Sequence, residues 1–152
     1  MRILWVATKC PWPPTDGGRL VLRHTVEALA ARGERVTVVC PGRAEDDPRL
    51  AGVRLRAVAG APSRSGAAWA SLRLPAAIAR HASAALAREA ERALADEAPD
   101  VVFAEQIQAI PACRPAFTAG TPVVLRAQNV ESDLWIARAA LAGPAASRLF
   151  RF

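Results

Sequence analysis

Cysteine and histidine are scarce in this 152-residue chain, and their scarcity excludes several kinds of site. The three cysteines, Cys10, Cys40 and Cys113, lie far apart and include no Cys-x-x-Cys pair. With only two histidines, no spacing typical of a zinc site occurs. The pattern favours reduced thiols in a cytoplasmic protein. Because Cys40 ends a predicted strand, it can approach Cys10 across neighbouring strands, and two core thiols are favoured over a disulfide bond or a nucleophile.

Long hydrophobic runs are also absent, although 52% of the residues are hydrophobic. No segment reaches the ~18 uninterrupted apolar residues that a membrane span requires. The apolar run over residues 2–8 is short and leads into Lys9, the only lysine, and then into a proline cluster. It therefore predicts a buried strand and not a signal peptide.

Long runs of like charge are missing as well, although the net charge is +6. A positive protein attracts anionic partners such as sugar nucleotides, phospholipids or nucleic acids. Since the arginines are scattered and no known nucleic-acid module occurs, most of them are interpreted as solvated surface residues, and no nucleic-acid partner is predicted.

Strands alternate with helices along the chain. Residues 2–40 predict a strand, a loop, a helix that ends near Gly33 and a second strand, which together form one βαβ unit. Residues 53–58 alternate apolar and basic side chains, as expected for a strand near a sheet edge. Further strands are predicted over 100–104 and 121–127, and further helical segments over 67–98, 105–118 and 133–142. Pro75 marks a break or a helix start in the first of these segments, and Pro111 and Pro115 argue against a regular helix in the second. This alternation predicts an α/β fold with a doubly wound, Rossmann-like parallel sheet.

The chain is expected to form a single domain over residues 1–152. Its last residues include Leu149, Phe150 and Phe152, which look like the opening of another helix. A domain rarely ends on exposed aromatic residues, so we expect a truncation at the C-terminus.

Ligands bind beyond the carboxyl ends of the strands in a sheet of this kind, and a glycine pair is predicted to lie there. Asp16, Gly17, Gly18 and Arg19 open the first helix. The two glycines would let a phosphate approach bare backbone N–H groups, favoured by the helix dipole and by the charge of Arg19. Alternatively, Asp16 is an ordinary N-cap and the glycines serve tight packing. The segment matches neither a dinucleotide-binding glycine loop nor a Walker A loop.

Two polar residues follow the strand predicted over 100–104. At this position the carboxylate of Glu105, next to Gln106, would bind a sugar hydroxyl or act as a base. The alternative is that Glu105 is a helix N-terminal residue favoured by the helix dipole.

A third polar segment follows the strand predicted over 121–127. Arg126 lies near the strand end and is followed by Gln128, Asn129 and Glu131. Amide and carboxylate groups of this kind suit the recognition of sugar hydroxyls. The structural alternative is a turn at Asn129 and an ion pair between Arg126 and Glu131.

Three blocks of the sequence, in this order, resemble the N-terminal domain of bacterial family 4 glycosyltransferases. The blocks are residues 2–39, with the Pro-rich stretch 10–14 and the stretch 16–19, residues 99–106 and residues 121–135. The resemblance implies the acceptor-side, Rossmann-like half of a GT-B fold. It also implies that the second Rossmann-like domain, which holds most of the sugar donor, is missing from this chain, so the chain alone is expected to be inactive.

The activity that the resemblance implies is a retaining transfer of a sugar from a nucleotide diphosphate sugar to a glycan or lipid-linked acceptor, without a metal or other cofactor. Donor phosphates are then expected at Gly17, Gly18 and Arg19, and Glu105 is the candidate catalytic residue. The candidate acceptor-binding residues are Asp16, Gln106, Arg126, Gln128, Asn129 and Glu131. Many family members have histidine at the positions of Glu105 and Gln128, so these two departures argue against a simple histidine-based mechanism.

Two further hypotheses concern partners and function. Residues 62–81 combine Arg64, Arg73 and Arg80 with Trp69, which suits peripheral attachment to an anionic membrane surface on its cytoplasmic side. An ordinary surface helix is the favoured alternative for this segment. A non-catalytic nucleotide-binding or regulatory Rossmann-like module is the alternative to an enzyme.

Overall fold

A computed structural model of the chain describes residues 1–59, 76–79 and 81–128, together with residues 133, 136, 137 and 140. Among these residues, parallel strands form one sheet in the order β3-β2-β1-β4-β5. The strands are β1 (Arg2–Val6), β2 (Arg35–Pro41), β3 (Val53–Val58), β4 (Val101–Glu105) and β5 (Val123–Arg126). The strand order reverses between β1 and β4, which makes that point the expected ligand crevice.

Helices cover both faces of the sheet. They are α1 (Gly17–Ala31), α2 (Ala76–Ala79), α3 (Ala84–Glu97) and α4 (Arg114–Thr118), with 3₁₀ helices at Ala44–Asp46 and Ile107–Cys113. Gly33 follows α1 with φ +85°, the left-handed conformation that glycine adopts without strain at a helix end. Within the described residues, no helix is long and apolar enough to cross a membrane.

The two faces of the sheet form two cores. On one face Ile3 and Trp5 of β1 pack with Leu22 and Val26 of α1. On the other face alternate residues of β1 pack against α3, the 3₁₀ helix Ile107–Cys113 and α4. Because β1 is buried on both sides, its residues after Arg2 are apolar without alternation, as expected for a central parallel strand. The predicted doubly wound α/β fold is therefore confirmed, and β3 lies at the sheet edge as its basic alternation indicated.

Several predicted boundaries differ from the structure. β1 ends at Val6 and not at residue 8, and β4 ends one residue later than predicted, so Glu105 is its last residue. The segment after β4 begins as a 3₁₀ helix that contains Pro111, which cannot donate a backbone hydrogen bond. An α-helix starts only at Arg114.

The sequence predicts that residues 67–98 are largely helical with Pro75 as a break or helix start, and their described part contains two helices, the first of which begins at Ala76. α3 begins only after Ser83, whose hydroxyl accepts a hydrogen bond from the Leu86 backbone N–H at 3.2 Å, and α2 is a separate short helix. Arg64, Trp69, Arg73 and Arg80 of the proposed membrane segment lie outside the described residues. Residues 133, 136, 137 and 140 are helical, and the rest of the helix predicted over 133–142 also lies outside them.

Candidate functional site

Glu105 occupies the carboxyl end of β4, directly opposite Arg126 on β5. Only 6% of Glu105 is exposed, so its carboxylate needs partners to offset the loss of hydration. Arg126 Nη1 donates to both carboxylate oxygens, at 2.7 Å and 2.8 Å. Trp5 Nε1 donates to Oε2 at 3.1 Å, and Gln128 Nε2 donates to Oε1 at 2.9 Å. Both oxygens of Glu105 are therefore engaged by two donors each.

Trp5 forms the floor beneath this ion pair. Its ring stacks on Phe103, with centroids 4.6 Å apart and an interplanar angle of 15°, because the two residues are register partners on β1 and β4. The Arg126 guanidinium carbon lies 5.7 Å from the centre of the Trp5 ring, within the range of a cation–π contact. Trp5 therefore supports both members of the pair, a role that its apolar strand pattern alone did not indicate.

Gln106 turns the chain sharply after β4. Its φ of 64° and ψ of 164° lie in a region that residues other than glycine rarely adopt, at a cost of about 1–3 kcal/mol. Strained residues of this kind cluster at ligand-binding and catalytic sites. The side chain of Gln106 donates through Nε2 to Gln128 Oε1 at 3.2 Å. The strained turn thus helps to hold Gln128 in place.

Gln128 connects the end of β4 with the start of α1. A Cβ built on Gly18 would lie 3.2 Å from Gln128 Oε1 and 3.3 Å from Asp16 Oδ1. A side chain at position 18 would therefore displace the Gln128 amide or the Asp16 carboxylate. At Gly17, by contrast, an added Cβ would meet nothing within 4 Å. The absence of a side chain at Gly18 thus lets Gln128 approach the first turn of α1.

The first turn of α1 carries a compact group of charges. Asp16 caps the helix, since its Oδ1 accepts from the Arg19 backbone N–H at 2.9 Å. Asp16 Oδ2 lies 3.3 Å from Lys9 Nζ and 3.7 Å from Arg19 Nε. The Arg19 guanidinium also contacts the Thr15 hydroxyl. Two cations and one carboxylate leave a net positive charge beside the positive end of the helix dipole, which favours an anionic ligand.

Replacing Asp16 by alanine is expected to lower the free energy of unfolding by about 1 kcal/mol at pH 7, because the N-cap is lost. The Arg19 backbone N–H, and after it the Lys9 ammonium, lower the pKa of Asp16 below its ordinary value of 3.8. A lowered folded-state pKa means that the ionised form stabilises the fold, so this contribution is complete above the unfolded pKa. It is lost as the pH falls through the lower folded pKa.

Urea unfolding of wild type and Asp16→Ala at neutral and acidic pH measures this effect. Asp16→Asn is the control, because its amide oxygen keeps the cap without the charge. Its stability should lie between those of Asp16→Ala and wild type at neutral pH and should not show the loss of the Asp16 contribution at acidic pH. Equal stability of Asp16→Ala and wild type at pH 7 would contradict the capping role.

The structure brings most of the predicted site residues together at the crossover between β1 and β4. Glu105, Gln106, Arg126 and Gln128 form one hydrogen-bonded group, and Gln128 reaches Gly18 next to Asp16. Asn129 and Glu131 lie outside the described residues. Arg126 pairs with Glu105, because β5 runs beside β4 and places the two side chains opposite each other. The alternative pair between Arg126 and Glu131 involves a residue outside the described part of the chain and stays a prediction.

Lys9 is a candidate that the sequence analysis did not assign. Its position directly after β1, as the only lysine of the chain, was the available signal. Its contact with Asp16 depends on how the β1–α1 loop folds back, which the sequence pattern does not reveal.

The described site residues lie at the carboxyl ends of β4 and β5 and at the start of α1. A groove of about 910 Å³ lies between α1 and the segment that joins β2 to β3, and none of the predicted site residues lines it. Its walls include Trp12, Arg23, Glu27 and Asp46. Among the described residues, no group of three or more His, Cys, Asp or Glu side chains is placed to hold a metal ion.

The fold is that of a Rossmann-like half-domain. The polar side chains at the carboxyl ends of its strands lie beside the positively charged N-terminus of α1. The family model described as a glycosyl transferase 4-like domain matches residues 16–152, and the chain belongs to this family. A crystal structure described as that of the glycotransferase of kitacinnamycin matches with a TM-score of 0.59 at 20% identity. The match covers 92% of this chain and 34% of that chain, so this chain spans about a third of its length. The likeness confirms the GT-B half-fold, and a comparison with curated protein sequences gave no significant match.

Proposed function

We propose that the protein containing this chain is a retaining glycosyltransferase that moves a sugar from a nucleotide diphosphate sugar to a glycan or lipid-linked acceptor. The observation that carries the proposal is the position of Gln128, which joins the Glu105–Arg126 pair to the glycine-containing first turn of α1. In this proposal the donor binds at the first turn of α1 and the acceptor binds at the carboxyl ends of β4 and β5. The Gln128 amide lies between the two ligands. Membership of the glycosyl transferase 4-like family supports this reaction class.

On the donor side, the N–H groups of the first helical turn lack partners within the helix and suit phosphate oxygens. Gly17 and Gly18 would admit the diphosphate, and Arg19 and Lys9 would balance its charge. Asp16 caps the turn and contacts both Lys9 and Arg19, so it would position the groups that bind the donor. It would also lie next to the proposed acceptor site. No metal is required in this arrangement, because the protein's own cations and the helix dipole face the phosphates.

On the acceptor side, Gln106, Gln128 and Arg126 would bind hydroxyl groups, with Asn129 and Glu131 following in the sequence. The contacts of Glu105 favour a positioning role, since both carboxylate oxygens already accept two hydrogen bonds each. Proton transfer by Glu105 requires an acceptor hydroxyl to replace one of these donors. Polar side chains at the carboxyl ends of β4 and β5 suit one wall of a cleft. A second domain would form the other wall, as in a complete GT-B enzyme.

Gln128→Ala in the full-length enzyme is expected to raise the KM for the acceptor about tenfold, the effect of one lost hydrogen bond of about 1.4 kcal/mol. The KM for the donor should change much less. Product formation from a panel of nucleotide diphosphate sugars, followed by mass spectrometry, measures both parameters. Arg54→Ala is the control variant, because Arg54 lies on the edge strand β3, away from the site.

The same assay tests the reaction class itself. Nucleotide binding without sugar transfer to any acceptor in the panel would overturn the proposal in favour of a non-catalytic nucleotide-binding module. An unchanged acceptor KM in a folded Gln128→Ala enzyme would instead remove Gln128 from the acceptor site.

A further inference from the structure

Two of the three cysteines meet at the base of the β1–α1 loop. Val6 of β1 pairs with Val39 of β2, so the chain that leaves β1 passes beside Cys40, near the end of β2. Cys10 lies in that loop and belongs to the same core cluster as Cys40. Each thiol is the largest influence on the pKa of the other, as expected for neighbouring side chains. The two cysteines thus lie beside each other in one core cluster although 30 positions separate them in the sequence.

Gly42 explains why Cys10 can lie so close to β2. A Cβ built on Gly42 would lie 3.3 Å from Cys10 Cβ and 3.4 Å from Cys10 Sγ. The absence of a side chain at Gly42 thus lets Cys10 lie against the end of β2. Cys10 keeps 8% of its surface exposed, whereas Cys40 has none, so a small oxidant reaches Cys10 first.

We propose that Cys10 and Cys40 form a reversible disulfide bond when the protein meets a hydroperoxide. Cys10 is the nucleophile and Cys40 is the resolving thiol. The bond joins the loop between β1 and α1 to the end of β2, and so tethers the segment that leads into Gly17 and Gly18.

The chemical environments of the two thiols suit this order of attack. The hydrogen bond from Cys40, and after it the Trp12 backbone N–H, lower the pKa of Cys10 to about 7 against the opposing effect of burial. The same pairing, together with burial, raises the pKa of Cys40. The lowered pKa of Cys10 favours its thiolate, the form that attacks peroxides, while the raised pKa of Cys40 favours its protonated form.

The oxidation of the two thiols needs no reagent other than the peroxide. The Cys10 thiolate attacks one oxygen of hydrogen peroxide, the O–O bond breaks, and hydroxide leaves, which gives a sulfenic acid. The sulfur of Cys40 then attacks the Cys10 sulfur, the S–S bond forms, and the sulfenic oxygen leaves as water with the Cys40 proton. The hydroxide takes up the proton that Cys10 released on forming the thiolate, so two thiols are oxidised by two electrons in total and one peroxide is reduced to two molecules of water. A dithiol reductant reverses the bond.

Peptide mapping of the peroxide-treated protein tests the proposal. Trypsin separates Cys10, on residues 10–19, from Cys40, on residues 36–43, and from Cys113, on residues 93–126. After peroxide, maleimide labelling under denaturing conditions and digestion, we expect peptides 10–19 and 36–43 to be cross-linked. Cys113 should be labelled by maleimide, because it lies in the core on the opposite face of the sheet, where burial raises its pKa to about 12. Dithiothreitol should restore both labels.

Single cysteine-to-alanine variants test which thiol is oxidised first and which one resolves the sulfenic acid. Cys10→Ala should leave Cys40 as a thiol that maleimide labels, and Cys113→Ala should cross-link like wild type. Cys40→Ala removes both the resolving thiol and the group that lowers the pKa of Cys10, so Cys10 should be oxidised more slowly than in wild type and should form no cross-link. Circular dichroism confirms that each variant is folded, and the mapping of wild type needs no variant at all. The proposal fails if wild type loses neither label, or if Cys10 is oxidised while Cys40 is still labelled by maleimide.

Discussion

Replacing Arg126 by methionine is expected to lower the free energy of unfolding by about 2–3 kcal/mol, because the change leaves the Glu105 carboxylate buried without its cation. The Glu105 side chain is 7% exposed and that of Arg126 is 20% exposed, so water cannot fully replace the lost charge. Methionine keeps much of the packing over Trp5, which isolates the electrostatic contribution. Urea unfolding followed by circular dichroism measures the difference.

A double-mutant cycle separates the pair from its surroundings. Glu105→Gln combined with Arg126→Met should be more stable than Arg126→Met alone, since the uncompensated buried charge is gone. The Glu105→Gln single variant completes the cycle, and a loss in the double variant equal to the sum of the two single losses would show that Glu105 and Arg126 are not coupled.

The chain also contains a matched control for burial. Arg54 and Glu97 form a pair with the same 2.7 Å contact as Arg126 and Glu105, but the Arg54 side chain is 66% exposed. Arg54→Met is therefore expected to cost less than about 1 kcal/mol, as exposed pairs do. If both methionine variants lost the same stability, burial at the strand edge would not account for the effect.

Gly18→Val in the full-length enzyme is expected to lower kcat/KM for the donor on the order of tenfold to hundredfold, or about 1.4–2.7 kcal/mol. A side chain at this position would cover backbone N–H groups that we propose to face the diphosphate. Neither Gly17 nor Gly18 has a positive φ, so valine causes no backbone strain at either position. Steady-state kinetics with varied donor and varied acceptor measure the two effects separately.

Gly17→Val provides the matched comparison. An added Cβ at Gly17 meets no protein atom within 4 Å, whereas at Gly18 it meets Gln128 Oε1 at 3.2 Å. Both variants should therefore weaken donor use, but only Gly18→Val should also raise the acceptor KM, and by less than it impairs donor use. Unchanged donor kinetics in a folded Gly18→Val enzyme would show that the glycine pair serves packing alone.

Much of the structure at the start of α1 could be predicted from the sequence, because its signals are local. Asp16 precedes a glycine pair and a helical apolar pattern, and the structure begins α1 there. The N-cap interpretation is confirmed by the contact between Asp16 and the Arg19 backbone N–H. Phosphate binding at the glycines stays a prediction, since it concerns a ligand and not the chain itself.

The segment after β4 was harder to interpret from sequence. Prolines at 111 and 115 signalled an interruption, but the choice between a 3₁₀ helix and an α-helix depends on how the segment packs against α3. The positive φ of Gln106 had no sequence signal, because glutamine gives no indication of a left-handed backbone. Tertiary contacts impose it, among them the hydrogen bond from the Gln106 backbone N–H to the Arg126 carbonyl.

The sequence by itself determined the alternation of buried strands and helices. That alternation places Glu105, Arg126 and Gln128 at the carboxyl ends of the strands. Parallel strands all end at the same edge, so residues that follow different strands are brought to one place whatever the strand order. Only the tertiary structure decided which of these residues touch. Trp5 and Glu105 are 100 positions apart and meet because β4 lies beside β1, and Arg126 meets Glu105 because β5 lies beside β4 in that register. Strand order and register follow from the packing of two whole faces, which no local pattern encodes.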